Sequence, residues 1–293
     1  MRRRSRHLLN VSMTSYAESR MLRVEGFRRN TQAVEALLDR IQEVTVSELL
    51  EAIPKVRDSV VAVLRVHLEH PERTKKGKTR PAQVNWSFGS GFCVKDDRLI
   101  MTAYHVLGDG KLRDPKDRFY AFIVPGNGDP AFHFPVTAFP LERPELDLAV
   151  LEIGPCATPD VHLPALPVSF EPVPDGTPVV TVGYPSPEIV SINIDAALNY
   201  GGGQFFLKSH ANEGIVAAQY VLGGNRMYEL NVGWHHGESG GPIASATSKP
   251  SAFSLMQHYR DVQSPHGIVA GPHRGFALSA VADELAAIGI ASA

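Results

Sequence analysis

Three short segments of the chain carry residue types that together perform nucleophilic chemistry. They supply His105, Asp147 and Ser239 in this order, 42 and 92 positions apart. A serine hydroxyl is a weak nucleophile near neutral pH and needs an adjacent base that takes its proton. An imidazole can take that proton and return it to a leaving group, while a carboxylate behind the ring fixes its tautomer. The three residues therefore predict a serine that is activated for acyl transfer.

The glycine-rich segment Gly237–Pro242 predicts a second part of the same site. We expect the backbone N–H groups of Gly237 and Ser239 to point at the oxygen on which negative charge develops. A glycine at position 237 accepts the unusual backbone angles that such a turn demands. Each segment alone has a plainer explanation, such as a structural histidine, a turn-capping aspartate or a tight turn. The prediction therefore depends on the three segments together.

Short apolar runs bounded by glycine and proline must position these residues. The chain has 25 glycines and 22 prolines among 293 residues. Many short strands joined by turns are typical of an all-β sandwich or barrel. Only Val281 to Ile288 has a helical pattern near the end, while Glu72 to Arg80 and Gly201 to Gly203 predict loops. The predicted strands are Ser59–Val66, Val84–Val94, Leu99–Thr102, Phe119–Val124, Phe132–Phe139, Leu148–Ile153, Pro178–Val182, Ile215–Val221, Met227–Val232 and Phe276–Ser279.

The N-terminal region differs from the rest in its composition. Residues 1–30 hold eight arginines against two glutamates and predict a basic, flexible tail. No apolar central region follows, so the segment does not resemble a secretory signal, although an organelle transit peptide stays an alternative. From Thr31 to Ile53, apolar residues recur at steps of three and four, which predicts amphipathic helix that Pro54 ends. We expect a helical extension over 31–57 that packs on the following domain or serves regulation or oligomerisation by docking a partner.

The overall composition bounds the class of protein. Hydrophobic residues make up 43% and charged residues 20%, which excludes chain-wide disorder. The net charge of −2 gives no signature of nucleic-acid binding, and no apolar run approaches the roughly 18 residues that span a membrane. Cys93 and Cys156 cannot form a disulfide scaffold, and both are predicted to be buried thiols. The missing secretory signal and the cysteine usage favour an intracellular, cytoplasmic location.

The motifs around these residues resemble those of trypsin-like serine peptidases, in particular the HtrA-like branch. The likeness covers about residues 58–285, and the family's motifs occur in the family's order. It implies two six-stranded antiparallel β-barrels, about 58–155 and 165–285, within a peptidase domain over 58–293. It also implies a serine endopeptidase that acts on polypeptides through an acyl-enzyme. The matching segments are Gly89–Phe92, Thr102–Val106, Asp147–Leu151, Gly183–Pro185, Gly214–Val216, Gly237–Pro242 and Gly275–Leu278.

Some positions depart from the family's pattern. Glu238 occupies a place where the family usually has Asp or Asn, and its effect on the oxyanion turn is left open. No activation site of the secreted branch occurs, so we expect no zymogen switch of that type. The chain ends soon after Ala287, and we expect no PDZ domain of the kind that often follows an HtrA peptidase.

The resemblance also suggests where substrate side chains bind. The family places the floor of the pocket for the residue before the cleaved bond six positions before the nucleophile, at Gly233. An uncharged floor predicts apolar or small side chains there, and Trp234, His235 and His236 are expected to line or gate the pocket. Adjacent side chains diverge on a strand and no His-Glu-x-x-His spacing occurs, so no metal and no cofactor is predicted.

Two other functions stay open from the sequence. A catalytically silent module with the protease fold could use the cleft to hold peptide. A partner-gated module could use residues 1–57 to control the same domain.

Overall fold

The structure is a computed structural model that describes residues 46–70, 73–75, 78–80, 83–108, 112–125, 131–195, 197–233, 235–257, 259–264 and 267–293. Residues Leu49–Ala293 form one compact unit. No helix among the described residues is both long and apolar enough to cross a membrane.

The first half of this unit is a closed antiparallel barrel. Six strands close it in the order β1-β4-β5-β8-β7-β6. Aliphatic and aromatic residues fill it, because strands rich in such residues bury their side chains on a pleated surface. All four residues of β5 are buried. The strands of this half are β1 (Val60–His70), β2 (Arg73–Lys75), β3 (Lys78–Arg80), β4 (Gln83–Lys95), β5 (Leu99–Thr102), β6 (Arg118–Ile123), β7 (Phe132–Arg143) and β8 (Leu148–Ile153).

The second half contains a seven-stranded antiparallel sheet in the order β15-β14-β9-β12-β13-β17-β16. Its two edge strands, β15 and β16, are consecutive in the chain. The four steps from Leu255 to Tyr259 span at most about 14 Å, so the sheet must curl until its edges approach each other. The strands are β9 (Pro178–Gly183), β10 (Glu188–Ile194), β11 (Tyr200–Phe206), β12 (His210–Leu222), β13 (Asn225–Leu230), β14 (Pro242–Ser245), β15 (Ala252–Leu255), β16 (Tyr259–Ser264) and β17 (Gly267–Phe276).

The predicted fold class, an all-β double barrel of the trypsin type, is confirmed. The main sheet of the second half has seven strands where six were expected, and the described residues between β15 and β16 are not in a strand. At that interruption Met256 accepts a hydrogen bond from the Gly240 N–H at 2.7 Å and donates one to the Gly241 carbonyl at 2.8 Å. The backbone of Met256 therefore pairs with the turn of the candidate nucleophile.

A hairpin of β10 and β11 connects the second half to the first barrel. Tyr200 and Phe205 of β11 make edge-on contacts with Phe122 of β6, with ring centroids 5.3 and 5.4 Å apart. The hydroxyl of Tyr120, also on β6, accepts the Tyr200 N–H at 2.9 Å. Aromatic pairs in these arrangements add stability beyond the area they bury. The hairpin therefore ties the two halves together.

Helical structure is short. Residues 46–58 form helix α1, which buries Ala52 and Val56 in the core. Helix α2 (His105–Gly108) follows β5, and helix α3 (Ala282–Ala287) follows a 3₁₀ turn at Leu278–Val281. The expected end of α1 at Pro54 is wrong, since the helix continues to residue 58. The proline removes one helical N–H, and the carbonyl it would have met belongs to the exposed Leu50, where water can replace the bond.

Other local expectations also need correction. The loop expected over Glu72 to Arg80 contains β2 and β3, which pair antiparallel with Arg73 opposite Arg80. The loop expected at Gly201–Gly203 lies in β11. The strand expected over Phe276–Ser279 is wrong, since β17 covers Gly267–Phe276 and a 3₁₀ turn begins at Leu278. Seven strands were not predicted, namely β2, β3, β10, β11, β14, β15 and β16. The expected tail over 1–30 and helix before residue 46 lie outside the described residues.

Candidate active site

His105 lies just beyond the end of a strand of the first barrel. Strand β5 ends at Thr102, and His105 begins the single turn of α2, whose next three residues are buried. The imidazole Nδ1 lies 2.8 Å from Oδ2 and 3.0 Å from Oδ1 of Asp147. The backbone N–H of His105 donates to the same Oδ1 at 2.8 Å. Two groups of one residue therefore hold the carboxylate, which accepts the Nδ1 proton in the neutral tautomer.

Asp147 is positioned by a turn and by a contact with the second half. A 3₁₀ turn over Pro144–Leu146 ends at Asp147, whose φ of 53° lies in the left-handed region. Aspartate tolerates this conformation better than most residues. The side chain of Gln257 donates to the carbonyls of Leu146 at 2.6 Å and Asp147 at 3.3 Å. This contact fixes the strained backbone from across the molecule.

Ser239 is held against strand β4, which pairs with the strand β5 that leads to His105. Its carbonyl accepts the Ser90 N–H of β4 at 2.8 Å. A Cβ at the next residue, Gly240, would lie 2.2 Å from the Ser90 oxygen and 2.8 Å from the Ala103 nitrogen, and φ there is +89°. Only glycine fits so close an approach. Because Ala103 is two residues before His105, the structure brings Ser239 to the end of the first barrel that carries the imidazole.

The turn from His236 to Ser239 has a regular pattern of backbone bonds. Each of its four carbonyls accepts a hydrogen bond, at 2.7 to 3.0 Å. The donors, in chain order of the carbonyls, are the Ser186 N–H, the Ser90 hydroxyl, the Gly241 N–H and the Ser90 N–H. Within the described part of the chain, the N–H groups of Gly237 and Ser239 donate to no acceptor, whereas that of Glu238 donates to His235.

Peptide planarity gives this pattern a direction. In a trans peptide the carbonyl of one residue points opposite to the N–H of the next. The His236 carbonyl points at Ser186, so the Gly237 N–H points away from that loop. Gly237 has φ +98°, and a Cβ there would lie 2.5 Å from the Tyr184 carbonyl. The turn can therefore present two N–H groups to a ligand oxygen, and glycine is required for it.

Glu238 lies beneath the turn and is fully buried. Its Oε2 accepts the N–H of His235, and its Oε1 accepts the Asn212 side chain at 3.3 Å. Burial raises the pKa of this carboxyl, and the hydrogen bond from the His235 backbone partly opposes that rise. Gly183 adjoins it, where a Cβ would lie 2.9 Å from the Glu238 Cα and Cβ. The longer side chain is thus accommodated under the turn, with both oxygens bonded.

The described residues expected to form the substrate pocket are more exposed than the triad and do not line the cavity that adjoins Asp147. Gly233 is exposed, with the His273 imidazole 3.7 Å from where a Cβ would lie. His235 and His236 are exposed, and Trp234 lies outside the described residues. A cavity of about 450 Å³ adjoins Asp147, but none of these four residues lines it. Its lining is Glu145, Leu146, Asp147, Leu222, Gly223, Asn225, Met227, Gln257, Arg274 and Phe276.

A second cavity, of about 510 Å³, lies beside the turn and includes His235. Its remaining lining residues are Pro185, Ser186, Glu188, Phe206, Lys208 and His210.

The described residues contain no cluster of three or more His, Cys, Asp or Glu able to hold a metal. Cys93 is a buried thiol whose pKa burial raises to about 12, while Cys156 is half-buried, not buried as expected.

Sequence reasoning missed the residues that hold the site together. Ser90 lies within the motif Gly89–Phe92, and Ser186 directly follows the motif Gly183–Pro185. The sequence therefore indicated both motifs but not the hydrogen bonds that these two serines make. Gln257 carries no local signal, because its partners lie 110 and 111 positions away.

Comparison with known proteins identifies the family of the domain that contains this site. The profile of the trypsin-like peptidase domain matches residues 89–250, which is 162 of 293 positions. The crystal structure of Deg5 aligns with 82% of this chain and 91% of its own, at 15% identity and a TM-score of 0.49. A structure of the HtrA-type protease AlgW with a tripeptide aligns with 81% of this chain, at 16% identity and a TM-score of 0.50.

The chain spans 62% of the aligned AlgW chain. At this identity the likeness to AlgW shows a shared fold alone. No curated protein matches the sequence significantly.

Proposed function

Since the chain belongs to the trypsin-like peptidase family, we propose that it is a serine endopeptidase with Ser239 as nucleophile, His105 as general base and Asp147 as the residue that orients the base. The observation that carries the proposal is the bonding of the 236–239 turn. All four carbonyls accept hydrogen bonds, and two alternate N–H groups, which donate to no acceptor among the described residues, can receive an oxyanion.

The reaction follows from these groups. Ser239 Oγ attacks the carbonyl carbon of the scissile bond while its proton passes to Nε2 of His105. The carbonyl oxygen becomes an anion, which the N–H groups of Gly237 and Ser239 stabilise. The intermediate collapses, and the leaving amine takes the proton from His105. Water then attacks the acyl-enzyme by the same route and restores Ser239.

The oxyanion donors and the His105–Asp147 pair contribute to turnover in different ways. Loss of a single oxyanion donor typically costs about 10²–10³ in turnover. The carboxylate of Asp147 keeps the proton on Nδ1, so that Nε2 carries no proton and can act as the base. No metal or organic cofactor enters this scheme.

The substrate we propose is a polypeptide with an apolar or small residue before the cleaved bond. Gly233, which the family resemblance assigns to the floor of that pocket, carries no charge that could select lysine or arginine. AlgW was solved with a tripeptide, and we propose that the cleft of this chain likewise accepts an extended peptide.

Hydrolysis of a peptide library by wild type and by Ser239→Ala tests the proposal. The library avoids presupposing the specificity, and mass spectrometry identifies the products. We expect wild type to cleave and Ser239→Ala to be inactive with the same unfolding temperature. Ser254→Ala is the matched control, because Ser254 is fully buried and its hydroxyl has no hydrogen-bond partner among the described residues. Cleavage by Ser239→Ala at the wild-type rate would refute the assignment.

A further inference from the structure

We propose that Ser90 is a positioning residue of the oxyanion turn, acting from the first barrel on the backbone of Gly237 and Ser239. This inference rests on the proposed function, since it concerns how the same site is held ready. Ser90 lies on β4, opposite Ala62 of β1, and is fully buried.

Every polar group of Ser90 is used at the junction of the two halves. Its N–H donates to the Ser239 carbonyl at 2.8 Å, and its hydroxyl donates to the Gly237 carbonyl at 2.7 Å. The same hydroxyl oxygen accepts the Tyr184 N–H at 2.8 Å. Its carbonyl accepts the Thr102 hydroxyl at 2.6 Å. One residue thus engages the turn twice and the adjacent 183–186 loop once.

The hydroxyl has a task that no backbone group shares. A peptide plane is fixed when its carbonyl direction is fixed. The Ser186 N–H fixes the plane between His236 and Gly237, and the Ser90 hydroxyl fixes the next plane, between Gly237 and Glu238. Gly237 lies between these two planes and, as a glycine, has no side chain that limits its rotation. Without the Ser90 hydroxyl, one of the two planes that orient the Gly237 N–H is released.

The Ser90 hydroxyl oxygen also accepts a hydrogen bond, and this bond couples the 236–239 turn to the 183–186 loop. Tyr184 donates to Ser90, while its own carbonyl lies 2.5 Å from where a Gly237 Cβ would be. The Ser186 N–H that holds His236 is two residues further along the same loop. Removal of the Ser90 oxygen therefore leaves the buried Tyr184 N–H unpaired and loosens the loop that supplies the second constraint.

A purely structural role would give a different signature from a positioning role. A residue that only joins the barrels would lower the unfolding temperature and leave kcat and KM unchanged below it. A residue that orients the oxyanion donors acts on the transition state, so kcat falls while KM is retained.

The test compares Ser90→Ala with wild type and with Ser254→Ala. We expect kcat for a peptide substrate to fall at least about 10-fold in Ser90→Ala, toward the 10²–10³ loss seen when a donor is removed outright, with KM within about twofold. Amide hydrogen exchange by mass spectrometry reports on the turn without any need for activity. We expect faster exchange in the peptide covering 235–241 of Ser90→Ala and unchanged exchange in Ser254→Ala.

Three outcomes decide the inference. Wild-type kcat and unchanged exchange in Ser90→Ala would overturn it. An inactive wild type would refute the proposed function, and exchange at 235–241 would still show whether Ser90 holds the turn. If Ser90→Ala does not fold, Ser90→Cys fills the same space with a slightly larger thiol that donates only a weak hydrogen bond. Full activity and unchanged exchange in a folded Ser90→Cys would likewise contradict the inference, whereas reduced kcat with retained KM supports it.

Discussion

The first barrel contributes His105 and Asp147 to the candidate site as side chains, whereas the second contributes the turn 236–241 mainly as backbone. The pair on the first barrel is held mainly by its own barrel, through the start of α2 and the turn that ends at Asp147, with one added contact from Gln257 of the second half. The turn is held from outside, by Ser90 of the first barrel, by Ser186 of a neighbouring loop and by Met256.

The difference has a physical reason. A side chain at the end of a strand inherits the rigidity of the barrel, and its chemistry depends on which atom faces its neighbour. A turn rich in glycine has little rigidity of its own, so each peptide plane needs a partner. Changes to the first region should therefore alter proton transfer, and changes to the second should alter how well the turn is organised.

The largest effect on the first region is expected from Asp147→Asn. The His105 N–H already occupies the Oδ1 position, so the asparagine amide nitrogen would face Nδ1. The ring must then accept at Nδ1 and carry its proton on Nε2, where it cannot take the serine proton. We expect kcat to fall about 10⁴-fold, as for the same change in chymotrypsin-type proteases, with little change in KM.

A second His–Asp pair supplies the control, between Asp97 in the β4–β5 turn and His162 in the segment after β8. His162 Nδ1 lies 2.7 Å from Asp97 Oδ2 on the exposed side of the molecule. Asp97→Asn makes the same chemical change away from the site and should leave kcat at the wild-type value. Equal kcat in Asp147→Asn and Asp97→Asn would remove Asp147 from the mechanism.

A smaller effect, on the pH dependence of folding stability, is expected from Glu238→Gln, which replaces the buried carboxyl beneath the turn. Burial raises the pKa of Glu238 above its ordinary value of 4.5, so the folded protein holds this proton more tightly than the unfolded chain. As pH rises above 4.5, the carboxyl ionises first in the unfolded chain, which stabilises the unfolded state, so wild-type stability falls relative to the glutamine variant. The difference stops growing once pH passes the folded-state pKa.

Urea unfolding of both proteins at a series of pH values from about 4 to about 8 measures this difference. A wild type that gains stability relative to Glu238→Gln as pH rises would show that the carboxylate is favoured under the turn. That result would reverse the direction inferred from its burial.

The sequence predicted the two regions unequally. His105, Asp147 and Ser239 could be proposed from the sequence because nucleophilic catalysis needs those residue types, and because glycine-rich motifs and strand ends surround them. The all-β fold followed from apolar runs bounded by glycine and proline, and the first barrel closes as expected. The roles of the three residues stay proposals.

What the sequence did not predict depends on contacts between distant segments. Ser90 and Gly237 are 147 positions apart, and no periodicity or spacing reports a bond of that kind. Strand β11 contains three consecutive glycines, whose local preference is for loops, and it is held by pairing with β10 and by aromatic contacts with the first barrel. Pro54 was expected to end α1, but the helix continues and buries Val56 in the core.

Labelling with a fluorophosphonate serine probe, with the adduct mapped by mass spectrometry, tests the central claim most directly. Such a probe reacts only with a serine that an assembled site activates. We expect one adduct, at Ser239, that is absent in His105→Ala and retained in Ser254→Ala. An adduct at another serine, or undiminished labelling of Ser239 in His105→Ala, would contradict the account, and so would no labelling of a folded wild-type protein.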